Sequence, residues 1–285
     1  MTITLTNDYR APDVFVRAAE NDSYSMGDAD FSVTGLIQPP QISRLRKEHR
    51  DDISSDVRDE IWKLLGRGVH AILEQNNSGT VEKRFFAAHP YGVRISGAID
   101  LLEDNGAVTD YKVTSVYTLQ NPLKADWEAQ LNTYAWLLRQ NDIKVTSLTV
   151  VGIARDWMKS RSKRQAGYPQ SPIVSIPVPI WLPDVQDEYV NSRVTIHTAE
   201  ETVPCTNSER WARGGYKTVS PGGKTKKFDS LSSAAMWVSG HKAASLKVVD
   251  QAPQYVRCES WCDVSDFCPQ WRGGESRGKE RPRFR

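Results

Sequence analysis

The spacing of apolar positions changes several times along the chain, and each change marks an expected element. Residues 1–30 are mostly polar and read as a loosely packed lead-in. Phe31 to Ser43 predicts a short strand followed by a turn at Pro39-Pro40. From Ser55 onward, Ile61, Leu64, Leu65, Gly68, Val69, Ile72 and Leu73 recur at helical spacing. Asn76-Asn77-Ser78-Gly79 then supplies a stop signal. Extended runs follow over Val81–Ala87, Tyr91–Leu102 and Ala107–Val113. Glu103-Asp104-Asn105-Gly106 separates the last two, and an Asn-Gly pair between apolar runs is a strong hairpin signal. Ala125–Gln140 predicts an amphipathic helix and Val145–Ala154 a strand. Residues 156–172 are basic and without period, as expected of an exposed loop. Ile173–Ile180, interrupted by Pro177 and Pro179, predicts an edge strand, and Val185–Glu200 a helix.

Beyond residue 200 the character shifts to Gly-rich, Lys-rich and cysteine-bearing sequence. The expected organisation is a lead-in over 1–54 packing on a core over 55–200, a cysteine-containing lobe over 201–270, and a disordered basic tail over 271–285. Strands alternating with helices predict an α/β fold, a central mixed sheet flanked by helices.

Composition narrows this only slightly. The chain has 285 residues, 39% of them hydrophobic, with 9 Trp, 10 Tyr and 7 Phe, which is ample for a core. The formal net charge is +2, so any nucleic-acid surface must be local. No apolar stretch reaches the ~18 residues of a membrane helix. The opening MTITLTNDYRAPD lacks a basic segment followed by an apolar run, so a secretory signal is not expected. A cytoplasmic, reducing location follows as the expectation, in which cysteines stay out of disulfides.

Candidate chemistry lies in the hairpin. Asp100 closes one strand, while Asp110 and Lys112, two apart, share one face of the next. Charges amid apolar strand residues are costly unless paired or metal-bound. Two carboxylates can hold Mg2+ or Mn2+, to which the Tyr111 carbonyl could add an oxygen. Such an ion polarises a phosphodiester and acidifies bound water, and Lys112 can place the nucleophile and stabilise developing charge. A solvent-facing strand bearing an ordinary Asp–Lys pair fits the same residues, and the hairpin alone does not separate the readings. The preceding helix carries His70 beside an apolar stripe, where a lone histidine is usually structural. The following helix carries Gln130 and Tyr134 one turn apart.

This ordered set resembles the RecB-like branch of the PD-(D/E)XK nucleases, which includes CRISPR-associated exonucleases. Ile37-Gln38-Pro39-Pro40 and the helix leading to His70 also look like phage-encoded members of that group. The resemblance covers about residues 55–155. It implies a PD-(D/E)XK restriction-endonuclease-like core, with His70, Asp100 and Asp110 as metal ligands, Lys112 serving the nucleophile, and Gln130 and Tyr134 helping to hold DNA. It further implies an exonuclease acting on single-stranded or duplex DNA ends in recombination, repair or phage DNA processing, with a recombination (annealing) protein as a partner. In a phage-encoded member the host cytoplasm would be the location. A structure- or sequence-specific endonuclease on the same fold, or a non-catalytic DNA-binding relative, are the rival readings. A histidine ligand favours Mn2+ over Mg2+ in affinity. Glu82 and Glu128 read as surface carboxylates, with a helper role as the other option.

Cys205, Cys258, Cys262 and Cys268-Pro269 suit a metal centre. In the resembling branch four cysteines often hold a [4Fe–4S] cluster. This chain differs in placing its lone cysteine after the core and in spacing the first pair of the trio by three residues rather than two. Zn2+ on the same cysteines, and unligated buried thiols, stay as alternatives.

Lys159–Arg164, Lys217–Lys227 and the tail from Trp271 to Arg285 could meet phosphates. Trp127, Trp157 and Trp211 could stack on unpaired bases, with core packing the more ordinary role for each. Gly222-Gly223-Lys224-Thr225 imitates a phosphate loop, but position 218 is Thr where that loop needs glycine.

Overall fold

The computed structural model describes residues 4–21, 25–219, 225–228, 230–240 and 247–273. The tail beyond Gly273 and most of the Gly222-Gly223-Lys224-Thr225 stretch lie outside them. The chain forms two compact units, one of residues 4–38 and 55–200, the other of residues 39–54 and from Glu201 on.

In chain order the elements up to residue 200 are β1 (Thr4–Thr6), α1 (Asp13–Glu20), β2 (Phe31–Ser32), α2 (Val33–Ile37), α3 (Pro40–Glu48), β3 (Ser54–Asp56), α4 (Val57–Glu74), β4 (Thr80–Ala88), β5 (Arg94–Leu102), β6 (Ala107–Thr114), α5 (Val116–Leu119), α6 (Ala125–Arg139), β7 (Ser147–Ala154), α7 (Lys159–Ser162), β8 (Ile173–Val178) and α8 (Pro183–Thr198). The main sheet is mixed. β4 and β5 pair antiparallel, β6 and β7 parallel, β7 and β8 antiparallel. The parallel pair requires a crossover, and α6 supplies it.

Between β5 and β6 only two register pairs form, Leu101–Thr109 and Leu102–Val108. Further from the turn the strands part, and β2 pairs instead with the start of β5, Phe31 with Ile95 and Ser32 with Ser96. The turn itself is tight. Gly106 N–H donates to Glu103 O, the Asn105 carboxamide accepts from Ala107 N–H, and Gly106 takes φ +86°. A β-carbon at Gly106 would also stand 2.2 Å from Lys144 O, so only glycine fits there.

α6 is buried almost all round, from Trp127 to Leu138, not amphipathic as its sequence predicts. One side meets β4, β5 and β7, while α2 and α8 cover the other. Its polar residues are therefore satisfied internally: Asn132 bonds Pro179 O and Trp181 N–H, and Thr133 bonds Ala129 O. Leu131, Leu137, Leu138, Ile95, Ile99, Val108 and Leu148 form the core. Truncating one of these leucines to alanine costs ~2–5 kcal/mol.

α4 departs from expectation in the opposite sense. Asp56 caps it by accepting from Arg58 N–H, but within it only Val57 is buried. Leu65 and Ile72 of the predicted apolar stripe are exposed, although α1 packs on the helix. Pro39-Pro40 is not a turn: Ser32 caps α2, and Pro40 opens α3 at a position where its missing N–H costs nothing. Residues 156–172 include the single turn α7 and are tied down by Trp157 Nε1–H to Pro169 O and by Met158 N–H to the Tyr168 hydroxyl.

Candidate metal centre

The parting of β5 and β6 leaves a fork beside their two register pairs, and the charged residues stand in it. Tyr111 donates its backbone N–H to Asp100 Oδ2 at 2.8 Å, so a carboxylate does there what a strand partner would do in a continuous ladder. Asp110 is 1% exposed. Lys112 Nζ lies 2.9 Å from Asp110 Oδ1 and 2.8 Å from Oδ2, and the second contact lacks the direction of a hydrogen bond. From α6, Gln130 Nε2 donates to Asp110 Oδ1 at 3.2 Å and to the Tyr134 hydroxyl at 3.0 Å. Both α6 side chains are buried. Tyr134 lies over Gly97 of β5, where a β-carbon would come within 2.8 Å of its ring.

α4 brings His70 to the same fork. Its Nε2 faces Tyr111 O at 3.1 Å, and its Nδ1 faces Glu82 Oε1 at 3.3 Å and Asp100 Oδ2 at 3.6 Å. Donor atoms of His70, Glu82 and Asp100 lie within 4.8 Å of one another, the only such group of three among the described residues. Asp110 stands outside that trio, turned toward Lys112 and Gln130.

Glu82 thus stands against His70 and Asp100, in line with the helper option of its sequence reading rather than with an isolated surface carboxylate. It takes φ +46°, a left-handed conformation that costs a non-glycine residue ~1–3 kcal/mol. The β4–β5 register pairs Val81 with Leu101 and Lys83 with Ile99, so Glu82 falls opposite Asp100, a relationship that only the structure reveals. Glu128, by contrast, accepts from Trp181 Nε1–H at 2.8 Å and belongs to the packing of α6.

The electrostatics suit a cation. Burial, and then the neighbouring Asp110, push the Asp100 carboxyl up to about 7, against the pull of His70 and Lys112. The hydrogen bond that the His70 ring donates to the Glu82 carboxylate raises the His70 pKa despite its burial. Carboxylates crowded in a low-dielectric fork repel one another, and an imidazole and a backbone carbonyl face the same space. This oxygen-rich set with one nitrogen fits a divalent ion of the Mg2+ or Mn2+ kind.

The sequence profile of the PD-(D/E)XK nuclease superfamily matches residues 43–269. The chain belongs to the PD-(D/E)XK nuclease superfamily. The superfamily's nucleases cleave nucleic acid with divalent metals. A solved structure, "Crystal structure of SSO0001", is similar, with a TM-score of 0.48 and 15% identity over 70% of this chain and 90% of that one. No curated protein matches significantly.

In this PD-(D/E)XK chain the four cysteines gather within the other unit. All are free thiols, and all line one small cavity with Gln41, Ile42, Leu45 and Val264. Gln41 donates to Cys268 Sγ at 3.5 Å and accepts from Cys205 N–H at 2.9 Å. Gln270 accepts from the same N–H and donates to Cys205 O. Burial, with Glu209 and then Cys268 and Cys258 nearby, pushes the Cys205 thiol up to about 12. Burial also raises Cys262. No three of the four sulfurs lie within 4.8 Å of one another.

Of the expected nucleic-acid contacts, Lys159, Arg161, Lys163 and Arg164 are exposed. Lys217 lies on a strand, Tyr216–Val219, that pairs antiparallel with Thr225–Phe228. Trp127 is buried and Trp157 half-buried with its N–H bonded, while Trp211 is exposed, with Arg257 over its ring at 5.4 Å.

Proposed function

We propose that this chain is a divalent-metal-dependent DNA exonuclease of the RecB-like branch, acting in recombination, repair or phage DNA processing. The observation that carries the reading is the fork itself. Asp100, Asp110 and Lys112 from the parted strands, with His70 from α4, converge there. His70, Asp100, Asp110 and the Tyr111 carbonyl, with Glu82 beside His70 and Asp100, would hold the ion, which would supply an acidified water and a polarised phosphate oxygen.

The protein's own groups do the rest. Gln130, fixed by Tyr134, aims Asp110, and Asp110 in turn holds Lys112 at the mouth of the fork. Lys112 has three N–H donors and two go to Asp110 at most, so one is free to orient the attacking water or to meet an anionic phosphate oxygen. Preorganised donors of this kind stabilise developing charge without reorganisation.

Attack from ends is supported by the resemblance of the ordered set His70, Asp100, Asp110, Lys112, Gln130 and Tyr134 to that branch. Closed circular and linear DNA of the same sequence, incubated with Mn2+ or Mg2+, test it. Degradation of the linear form with closed circles intact is the expected result, and nicking of the circles would make the enzyme an endonuclease.

At the cysteines a [4Fe–4S] cluster is the reading that fits best. The resemblance to the branch whose members often carry a four-cysteine cluster supports it, and Zn2+ on the same four cysteines is the rival reading. The centre would be structural, tying α3 to the 205–268 segment. Broad visible absorption from anaerobically purified protein is expected. Colourless protein with stoichiometric zinc would contradict it.

A further inference from the structure

Trp62 is 51% exposed on α4, the helix that carries His70 eight residues further on. Eight residues of helix rise ~12 Å, a few nucleotides' length of strand. The Arg155 guanidinium lies over the Trp62 ring, 4.3 Å from its centroid. The Arg155 backbone N–H donates to Thr114 O at 2.9 Å, two residues beyond Lys112 on β6. The pair thus stands just past the strand end that presents Asp110 and Lys112.

The surroundings carry both aromatic surface and positive charge. Asp156 accepts from Val116 N–H at 2.7 Å and pins α5 to this corner, with the next residue, Tyr117, 65% exposed. Downstream of Arg155, Lys159, Arg161, Lys163 and Arg164 face solvent, with Asp156 as the one acid among residues 155–164. An indole left half open beside a cation suits a flat, electron-rich ring followed by a phosphate.

We propose that Trp62 and Arg155 form a stacking subsite for an unpaired nucleobase of the strand whose phosphodiester sits in the fork. The Trp62 face that Arg155 leaves open takes the base, and Arg155 with the basic run through Arg164 takes the adjoining phosphates. The subsite rests on the nuclease reading and adds to it a preference for single-stranded ends. Stacking of one base on an aromatic side chain contributes enough to change affinity roughly five- to hundredfold. A duplex offers no free base face, so it gains only the charge.

The test uses the full chain carrying Asp110→Ala, which blocks cleavage, with fluorescence anisotropy of a labelled oligothymidylate and of a blunt duplex. Adding Trp62→Ala should weaken oligothymidylate binding by about five- to hundredfold and duplex binding far less. Trp62→Phe should restore most of the loss. Arg155→Ala should weaken both and lower the salt dependence by about one counterion. Unchanged oligothymidylate affinity in Trp62→Ala overturns the subsite, as does an equal loss on both DNAs. A shift from dimer to monomer on sedimentation, with DNA affinity unchanged, would assign the face to a second copy instead. If the Asp110→Ala parent binds neither DNA and the unmutated chain degrades neither, the nuclease reading falls and takes the subsite with it.

Discussion

Glu82 falls opposite Asp100 between β4 and β5 and reaches His70 Nδ1 at 3.3 Å, from a backbone held at φ +46°. A left-handed φ at a residue that points into a charged fork is consistent with a role for its side chain in the site. Glu82→Gly should relieve the conformation and hold or raise thermal stability, by ~1 kcal/mol at most, because glycine takes a left-handed φ freely. The same change should weaken the Mn2+ dependence of cleavage, moving its midpoint to higher metal concentration. Calorimetry and a metal titration read the two effects separately. A stability loss together with an unmoved metal midpoint would make Glu82 a structural residue only.

Gly97 and Tyr134 set a second constraint. A β-carbon at position 97 would meet the Tyr134 ring at 2.8 Å, and the ring cannot back away through a packed α6. Gly97→Ala should therefore cost ~1–3 kcal/mol by overpacking. It should also disturb the Tyr134–Gln130–Asp110 chain and lower kcat by about tenfold or more. Tyr134→Phe removes only the hydroxyl that Gln130 bonds, and it should lower kcat less while leaving the fold unstrained. Steady-state kinetics with thermal unfolding would show whether the two changes separate in this way.

The metal-free protein should lose stability as pH rises. Asp100 has its carboxyl raised from an ordinary 3.8 to about 7, so between those values the folded chain holds a proton that the unfolded chain has released. Its contribution is full below about pH 4, falls through the interval, and is gone above about pH 7. Melting temperatures of chelator-treated protein from pH 5 to 8 should show this decline, and Asp100→Asn should flatten it. Saturating Mn2+ should reverse the slope, because the ion displaces the proton. An Asp100→Asn curve parallel to the wild type would assign the decline to other groups.

The cysteine unit makes a prediction of its own. Cys268 is buried and accepts from Gln41 of α3. Cys268→Ser should bleach the expected visible absorption and lower the melting temperature. Gln41→Ala should do neither fully, because Cys205 N–H keeps Gln270 as an acceptor. A variant that melts lower but stays fully coloured would take Cys268 out of the ligand set.

Much of this site can be read from local patterns, and the parts that cannot have physical reasons. Asp100, Asp110 and Lys112 are visible because Asn105-Gly106 marks a turn and strand alternation sets the facing residues. Gln130 and Tyr134 share a face because four residues make one helical turn, but their place in the site, like that of His70, comes from the family resemblance and not from spacing. Glu82 is hidden because its role depends on an unusual φ and on cross-strand register. The enclosure of α6 is hidden because α2 and α8, remote in sequence, cover its outer side. The exposure of Trp62, Leu65 and Ile72 is hidden because helical spacing shows that an apolar stripe exists without showing what covers it. Gln41 lies 164 residues from Cys205 and 227 from Cys268, beyond the reach of any spacing argument.

Asp110 and Lys112 in the fork are proposed to drive metal-dependent hydrolysis. The most direct measurement is Mn2+-dependent release of nucleotides from linear DNA by the wild-type chain, by Asp110→Asn and by Lys112→Ala, each first shown by circular dichroism to be folded. Wild type should degrade the DNA only with metal present, and both variants should be slower by a factor of about a thousand or more. Cleavage by either folded variant at a rate close to wild type would remove Asp110 or Lys112 from the chemistry.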